Sequence, residues 1–429
     1  MDNDFKKIFT KIISTANLTT AKAEEKRLEE EQYVPPPGHI CFVKNKYCDG
    51  HSGRASILTL GGVKMQESRT WKYASELFCR NLSWSSDGVV VENFLRLKSF
   101  QVTTTNARTA TGSVTPPLYG STFVDLEPEE SCKFHLIIVF GEDVERFTSN
   151  NFIIEVKGSV GDRINADVTK WLPKKIVYSE FKVPEQWSDA SQFVQSGDVP
   201  VTRSGAQIGV LHQIDISSTI LCTGGVSKPT PGPYRTHPED SNIFLLEYPG
   251  MTWKLLPRHE LLRRSHHSMY LSGNVAYIFG GYSWSDNKAK KLFPVTEVTR
   301  IIFDNDHQVQ MVDIIELNSP VQTSFFPFIT GFSCSGVHKT VYLHGGIEFR
   351  GYNSDKENLH SCLPPETPRN KVPDPTSKLV KINLMEKSFI VYEGPVDASS
   401  HNSSIQILSS WEPIVLMSCD PHLYVYRPS

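Results

Sequence analysis

Two adjacent histidines, His266 and His267, are the titratable pair in this 429-residue chain that most resembles part of a catalytic or metal site. They lie in RRSHHSMYLSGN, a segment with the alternation typical of a β-strand. Neighbouring strand residues point to opposite faces, so both imidazoles cannot bind one metal ion without distortion. We therefore expect one of them to be a hydrogen-bonded core histidine near a junction between repeats, and we expect no metal site.

The eight cysteines also argue against a metal centre. None forms a CxxC pair, no Cys/His spacing matches a zinc site, and several lie inside apolar runs, where a thiol behaves as a small core residue. The opening sequence MDNDFKKIF lacks the apolar stretch and cleavage site of a secretory signal. We predict a reduced, intracellular chain.

Glycine pairs are the next feature that could do chemistry, because glycine-rich loops cradle phosphates. Neither GxxxxGK[ST] nor GxGxxG occurs, and Gly280-Gly281 follows an apolar run without opening a helical pattern. No GxSxG nucleophile elbow occurs either. We predict that these glycines form turns, that no cofactor is bound, and that the protein is not an enzyme.

Basic residues cluster in three stretches, although the net charge of −3 provides no global basic field. Candidate contacts to a DNA backbone are Lys64, Arg69 and Lys72 around Trp71, and Lys157 and Arg163 in the next repeat; Lys288, Lys290 and Lys291 form the third cluster. Such contacts would go to phosphates and would position the protein rather than read sequence. The alternative is an ordinary solvated surface of mixed charge.

These residues must be positioned by a repeating unit. Six apolar runs end in a glycine pair or a degraded form of it: ILTLGG, LIIVFGE, ILCTGG, AYIFGG, VYLHGG and IVLMSCD. The glycines that mark the turns are Gly61, Gly62, Gly141, Gly224, Gly225, Gly280, Gly281, Gly345 and Gly346. Glycine permits positive φ and close backbone approach where neighbouring units crowd.

Each run is flanked by further strand patterns. One precedes it, as in RSGAQIGVLHQ, and two follow it, as in SNIFLLEY and TWKLLP. Four short strands per repeat are typical of a propeller blade. The sequence therefore predicts an all-β fold, a six-bladed β-propeller over residues 38–429.

Residues 1–37 differ from the repeats. Phe5, Ile8, Phe9, Ile12 and Ile13 recur at helical spacing, and a charged run and three prolines follow. We expect an N-terminal helical tail that packs on the propeller or is offered to a partner. Within the propeller, residues 348–378 are proline-rich and polar, which predicts an exposed loop.

An open ring of blades would leave two exposed sheet edges. The last repeat supplies three strand patterns, and GHICFVKNK, Gly38 to Lys46, has no obvious partner. We predict that this segment completes the last blade.

The glycine pairs, spaced aromatics and four-strand units resemble kelch repeats. From Gly197 to Asp304, the strings SGDVPVTRSGA, NIFLLEYPGMTWKLLP and RRSHHSMYLSGNVAYIFGGYS are similar to the propeller of the non-catalytic subunit of the V(D)J recombination-activating complex. The vertebrate form of that subunit also carries a zinc-binding, histone-reading finger. No Cys/His array follows the sixth repeat here, so histone reading is not carried over.

The resemblance implies a non-enzymatic accessory subunit that binds a transposase-like recombinase and assists DNA binding in DNA recombination, with a nuclear location. Basic loop residues of that family approach DNA near the first two clusters. The alternative is a general kelch adaptor for a ubiquitin ligase, the cytoskeleton or signalling, which would be cytoplasmic. No apolar run is long enough to span a membrane, so no membrane partner is expected.

Overall fold

The computed structural model describes a set of segments that covers the core of every repeat. These are residues 9–11, 40–49, 52–60, 63–65, 71–73, 77–85, 88–97, 121–140, 142–143, 148–149, 153–159, 195–201, 203–226, 241–284, 292–295, 297–320, 329–330, 333–348, 376–394, 404–407, 415–419 and 422–426. Structural statements below refer to these residues.

Strand β1 (Phe9–Lys11) precedes the repeats. The first repeat contains β2 (Ile40–Asp49), β3 (Ser52–Leu60), β4 (Val63–Met65), β5 (Trp71–Tyr73), β6 (Leu77–Ser85) and β7 (Gly88–Leu97). The second contains β8 (Thr122–Asp125), β9 (Lys133–Val139), β10 (Glu142–Asp143), β11 (Thr148–Ser149) and β12 (Ile153–Ser159). The third contains β13 (Ser196–Gly197), β14 (Gln207–Ile214), β15 (Ser217–Thr223), β16 (Ile243–Tyr248) and β17 (Thr252–Leu256).

The fourth repeat contains β18 (Ser268–Ser272), β19 (Val275–Phe279), β20 (Tyr282–Trp284), β21 (Leu292–Pro294), β22 (Val298–Phe303) and β23 (Val309–Ile315). The fifth contains β24 (Ile329–Thr330), β25 (Ser333–Val337), β26 (Thr340–His344), β27 (Ile347–Glu348), β28 (Leu379–Asn383) and β29 (Ser388–Tyr392). The last contains β30 (Ser404–Ile407), β31 (Val415–Cys419) and β32 (His422–Tyr426).

Each repeat forms one main antiparallel sheet. The strand orders are β2-β3-β6-β7, β8-β9-β12, β14-β15-β16-β17-β13, β18-β19-β22-β23, β25-β26-β28-β29 and β30-β31-β32-β1, called the first to sixth sheets below. In the third sheet, β13 adds to the outer edge in parallel. Five sheets thus have four or five strands and form complete blades, whereas the second has three strands in the described part of the chain. The predicted all-β propeller is confirmed, but the count of six complete blades is not.

The sheets are arranged around a ring. The first strands of successive sheets lie against one another in the order β2, β8, β14, β18, β25 and β30, and β30 also lies against β2. Apolar cores fill the spaces between neighbouring sheets: Leu58 and Leu136 belong to the core between the first and second, and Leu245 and Ile278 to that between the third and fourth. Core side chains therefore bind sheet to sheet.

In the third, fourth and fifth sheets the described glycine pairs, Gly224-Gly225, Gly280-Gly281 and Gly345-Gly346, directly follow the end of the second strand, as the repeat pattern predicts. We call the face of the ring at these ends the glycine-turn face. The opposite face, where the first strand joins the second and the third joins the fourth, is the hairpin face.

The closure of the ring differs from the prediction. The segment from Ile40 is the first strand of the first sheet, paired with β3. The strand that completes the last blade is instead β1, whose Phe9 pairs with Tyr426 of β32. The predicted helical tail is therefore wrong at residues 9–11. The edge of β32 offers hydrogen-bond partners that an isolated short helix lacks, and tertiary pairing overrides the helical spacing.

Helical structure is scarce in the described residues: 3-10 conformation occurs at Ser241 and in the turn Glu260–Leu262, and there is no α-helix. Consequently, no described helix has the length and hydropathy needed to cross a bilayer. The proposed domain boundary at residue 38 stays a prediction, and most of the proline-rich loop, residues 349–375, lies outside the described residues.

Candidate partner- and DNA-binding face

Small antiparallel ribbons follow the glycine markers on the glycine-turn face. Strand β4 begins directly after Gly62 and pairs with β5, β10 begins after Gly141 and pairs with β11, and β20 begins after Gly281 and pairs with β21. In the fifth repeat β27, which follows Gly346, pairs with β24. The marker turn therefore leads the chain from the blade into a ribbon. Sequence reasoning missed these ribbons, because strands of two or three residues carry no readable periodicity.

The first ribbon contains two of the predicted DNA contacts. Lys64 and Lys72 are direct partners across the β4–β5 register. Arg69 falls between these two strands, outside the described residues. Two cations at paired positions of one ribbon are a local concentration of positive charge, whatever the net charge of the chain.

The other predicted contacts are not brought to this ribbon. Lys157 lies on β12, where its partner in the register is His135, near the start of β9 and therefore toward the hairpin face. Arg163 and the cluster Lys288, Lys290 and Lys291 lie outside the described residues. The structure thus separates Lys157 from Lys64 and Lys72.

Two buried arginines form hydrogen bonds with the backbone of the glycine turns. The Arg203 guanidinium donates through Nη1 to the Gly224 carbonyl (2.9 Å) and lies 5.6 Å from the centre of the Phe140 ring. Arg264 donates through Nη1 to the Gly280 carbonyl (3.3 Å) and through Nη2 to Thr299 Oγ1 (2.6 Å). Each arginine lies in the segment that precedes the first strand of its sheet. Its hydrogen bond joins that segment to the glycine turn after the second strand of the same sheet.

The residues after these arginines repeat the same backbone pairing. Ser204 bridges to Val226, and Ser265 bridges to Tyr282. Burial lowers the pKa of Arg264 to about 10, opposed by the charge of Glu297. The guanidinium is therefore still charged at neutral pH, and its hydrogen bond to the Gly280 carbonyl is charge-assisted.

The histidine pair lies at the junction of the third and fourth sheets. His267 is buried, and its Nε2 lies 3.0 Å from Thr223 Oγ1 of the neighbouring sheet. Burial, with a contribution from the charge of Arg264, holds its pKa well below the usual value. The expected core histidine is His267.

His266 has a φ of 53° and precedes β18, so the pair is not in a strand as the sequence argument assumed. Its ring stacks on Tyr282, with centroids 5.0 Å apart, and desolvation lowers its pKa to about 4. Among the described residues, no cluster of three or more His, Cys, Asp or Glu side chains is arranged to hold a metal ion.

A polar network that the sequence did not reveal joins three sheets toward the hairpin face. Lys44 Nζ lies 2.7 Å from Asp125 Oδ2 across the first junction, and Asp125 Oδ1 accepts the His135 N–H. His135 Nε2 lies 2.5 Å from Glu155 Oε1, which also accepts a hydrogen bond from Tyr248 Oη of the third sheet (2.7 Å). Burial and the Glu155 contact raise the Tyr248 pKa.

The polar side chains of this network form hydrogen bonds and ion pairs with one another. The Tyr248 hydroxyl donates to the carboxylate that His135 already contacts, so these side chains link the second sheet to the third. No signal in the sequence could have found the network, because its members lie in different repeats.

Comparison with known proteins assigns no family to this chain. No family model matches the chain, and no curated protein matches it. Among the solved structures that match is one titled "Structure of YjhT", which is 10% identical, covers 92% of this chain and 95% of that chain, and has a TM-score of 0.45. The identification of the chain as a β-propeller therefore rests on its own sheet topology.

Proposed function

We propose that the protein is a non-enzymatic binding scaffold built on a six-bladed, kelch-type propeller, with the three-stranded second sheet as the sixth blade. The ring of first strands supports this count, because β8 lies between β2 and β14 as a first strand of a blade would. A rigid ring with loops on two faces is suited to holding partners in fixed positions.

The sharper proposal is an accessory subunit that binds a transposase-like recombinase and assists DNA binding in DNA recombination. The observation that carries it is the pairing of Lys64 with Lys72 in a ribbon on the glycine-turn face. The resemblance over Gly197 to Asp304 supports it independently. Catalysis would then belong wholly to the partner, and the location would be nuclear.

In this proposal the ribbon contacts the phosphate backbone. Cations that neutralise phosphates release condensed counterions, so each contact lowers the slope of log K against log salt by about 0.9. Lys64, Arg69 and Lys72 supply the contacts of the first repeat, and Lys157 and Arg163 those of the second. Because Lys157 lies away from the ribbon, its contribution is expected to be the smaller one.

The experiment is a salt titration of binding to duplex DNA by the full chain, with and without the catalytic partner. Replacing Lys64 and Lys72 by alanine should weaken binding and flatten the salt slope by about two contacts' worth, or roughly 1.8. Lys157→Ala is the comparison variant. A slope that the double variant leaves unchanged would rule out the ribbon as a DNA contact. The adaptor hypothesis would then be favoured.

A further inference from the structure

A hairpin of the third sheet presents two isoleucines to solvent on the hairpin face. The β14–β15 hairpin turns at Ile214, Asp215 and Ile216, and the isoleucine side chains are 61% and 77% exposed. Asp215 has a φ of 50°, as a tight turn requires. Residues 212–217 are all exposed, so this tip projects beyond the body of the sheet. We call it the isoleucine tip.

Contacts on both sides hold the isoleucine tip in place. Gln213 donates through Nε2 to the Leu126 carbonyl at 2.8 Å, which fixes the tip against the β8–β9 turn of the second sheet. On the other side the rings of His212 and His307 lie 5.0 Å apart, which joins it to the β22–β23 turn of the fourth sheet. A held apolar tip loses little conformational freedom on binding.

The two turns that bracket the tip are acidic. The β8–β9 turn contributes Glu127 and Glu130, and the β22–β23 turn contributes Asp304 and Asp306, in addition to Asp215 at the tip. Glu129 of the first turn is paired with Lys46, at 2.6 Å. The cations that contact or follow the β8–β9 turn are Lys44, which pairs with Asp125, Lys46, and Lys133, and the two histidines complete the groups of opposite sign. Glu127, Glu130, Asp215, Asp304 and Asp306 remain beyond these pairs, so carboxylates outnumber cations on the three turns.

We propose that the isoleucine tip and its acidic turns are a docking site for a basic amphipathic segment of a partner protein. The two exposed isoleucines on one fixed turn offer apolar contact to a partner, and the carboxylates of the three turns select partners with lysine or arginine beside their apolar side chains. The same negative charge disfavours DNA, anionic lipid and a second copy of the tip. The site lies opposite the ribbon of Lys64 and Lys72 and does not depend on DNA binding.

The test uses the full chain and three synthetic peptides measured by fluorescence anisotropy. One peptide alternates leucine with arginine, the second has glutamate in place of arginine, and the third has serine in place of leucine. We expect the leucine–arginine peptide to bind at least about tenfold more tightly than either of the others, and its affinity to fall with added salt.

Variants locate the site. Ile214→Ser with Ile216→Ser should weaken binding of that peptide about tenfold, and Asp215→Asn, which keeps a residue type suited to positive φ, should weaken it about twofold. Met385→Ser is the matched control, because Met385 is also 77% exposed at a hairpin tip, in the fifth sheet. It should leave affinity unchanged, and thermal unfolding should be the same for all variants because the replaced side chains are exposed.

Equal loss in the Met385 control, no loss in the isoleucine variant, or equal binding of the leucine–glutamate peptide would each overturn the proposal. None of these outcomes bears on the DNA salt slope of the Lys64 and Lys72 variants, so the two proposals fail separately.

Discussion

The α-carbon of Gly224 lies against the Arg264 carbonyl, so closely that a Cβ at this position would collide with the oxygen. The same carbonyl accepts the Gly225 N–H at 3.0 Å. Gly224 belongs to the third sheet and Arg264 to the entry of the fourth, so this contact is a seam between neighbouring blades. The glycine pair is required by the packing of two backbones.

Gly224→Ala should therefore destabilise the protein far more than Gly273→Ala. Both residues have positive φ, 64° and 58°, but a Cβ added at Gly273 would have nothing within 4 Å. We expect a loss of about 1 kcal/mol for Gly273→Ala from backbone strain alone, and about 3 kcal/mol or more for Gly224→Ala, where the seam must also open. Denaturant unfolding of both variants measures the difference, and equal losses would contradict the packing argument.

Removal of residues 2–11 tests the closure by β1. The deletion takes away the partner of β32 and should lower the free energy of unfolding by about 1–3 kcal/mol, with aggregation through the newly exposed edge. Removal of residues 2–8, which leaves Phe9–Lys11 in place, is the control. If both deletions unfold at the same denaturant concentration, β1 does not close the ring.

Lys44→Met tests the polar network. The Lys44 ammonium is buried, pairs with Asp125 and donates to the carbonyls of Glu127 (2.7 Å) and Pro128 (2.9 Å). Removing it leaves a carboxylate without its cation, which should cost about 3 kcal/mol. Adding Asp125→Asn should restore part of that loss. Lys46→Met, at a partly exposed pair, should cost under about 1 kcal/mol, and an equal cost for both would contradict the role of burial.

Acid should destabilise the fold through its buried histidines. Burial lowers the pKa of His344 to about 4, while the unfolded chain binds the same proton near the ordinary histidine pKa of 6.5. Above pH 6.5 neither state is protonated and the neutral ring contributes its full stability; as the pH falls from 6.5 toward 4, only the unfolded state gains the proton. Each such histidine therefore removes about 1.4 kcal/mol per pH unit.

Urea unfolding at pH 7 and pH 5 measures this loss, and His344→Gln should reduce it by about 2 kcal/mol. The buried His267, whose pKa is also lowered, adds to the wild-type slope. Stability that stays constant between pH 6.5 and pH 5 would contradict the prediction.

The sequence predicted the main sheets because their signal is local. Glycine markers such as Gly224-Gly225 locate the second strand of a repeat, and the flanking patterns locate its neighbours. The same backbone conformation also occurs without glycine. Phe140, which follows β9, has a φ of 61°, close to the 64° of Gly224, which follows β15. Its ring stacks on Trp253, with centroids 5.9 Å apart, so packing across the sheets maintains a backbone conformation that its residue type disfavours.

The closing strand and the site were not predictable in the same way. Phe9 pairs with a residue at the other extreme of the sequence, and its helical spacing was the stronger local signal. Several candidate basic residues could be named from the sequence, but only the register shows that Lys64 faces Lys72 across a ribbon while Lys157 belongs to a different strand. These relationships depend on contacts between distant segments, which periodicity does not encode.

The pairing of Phe9–Lys11 with β32 also sets an order of events during synthesis. The first of these strands leaves the ribosome long before the second has been made, so it must wait without its partner while the intervening sheets form. The last blade cannot be completed before β32 has been made, and until the two strands pair, β32 and β1 both expose edges that can pair with other chains. We expect chaperone protection to matter most in the interval between the synthesis of β1 and its pairing with β32.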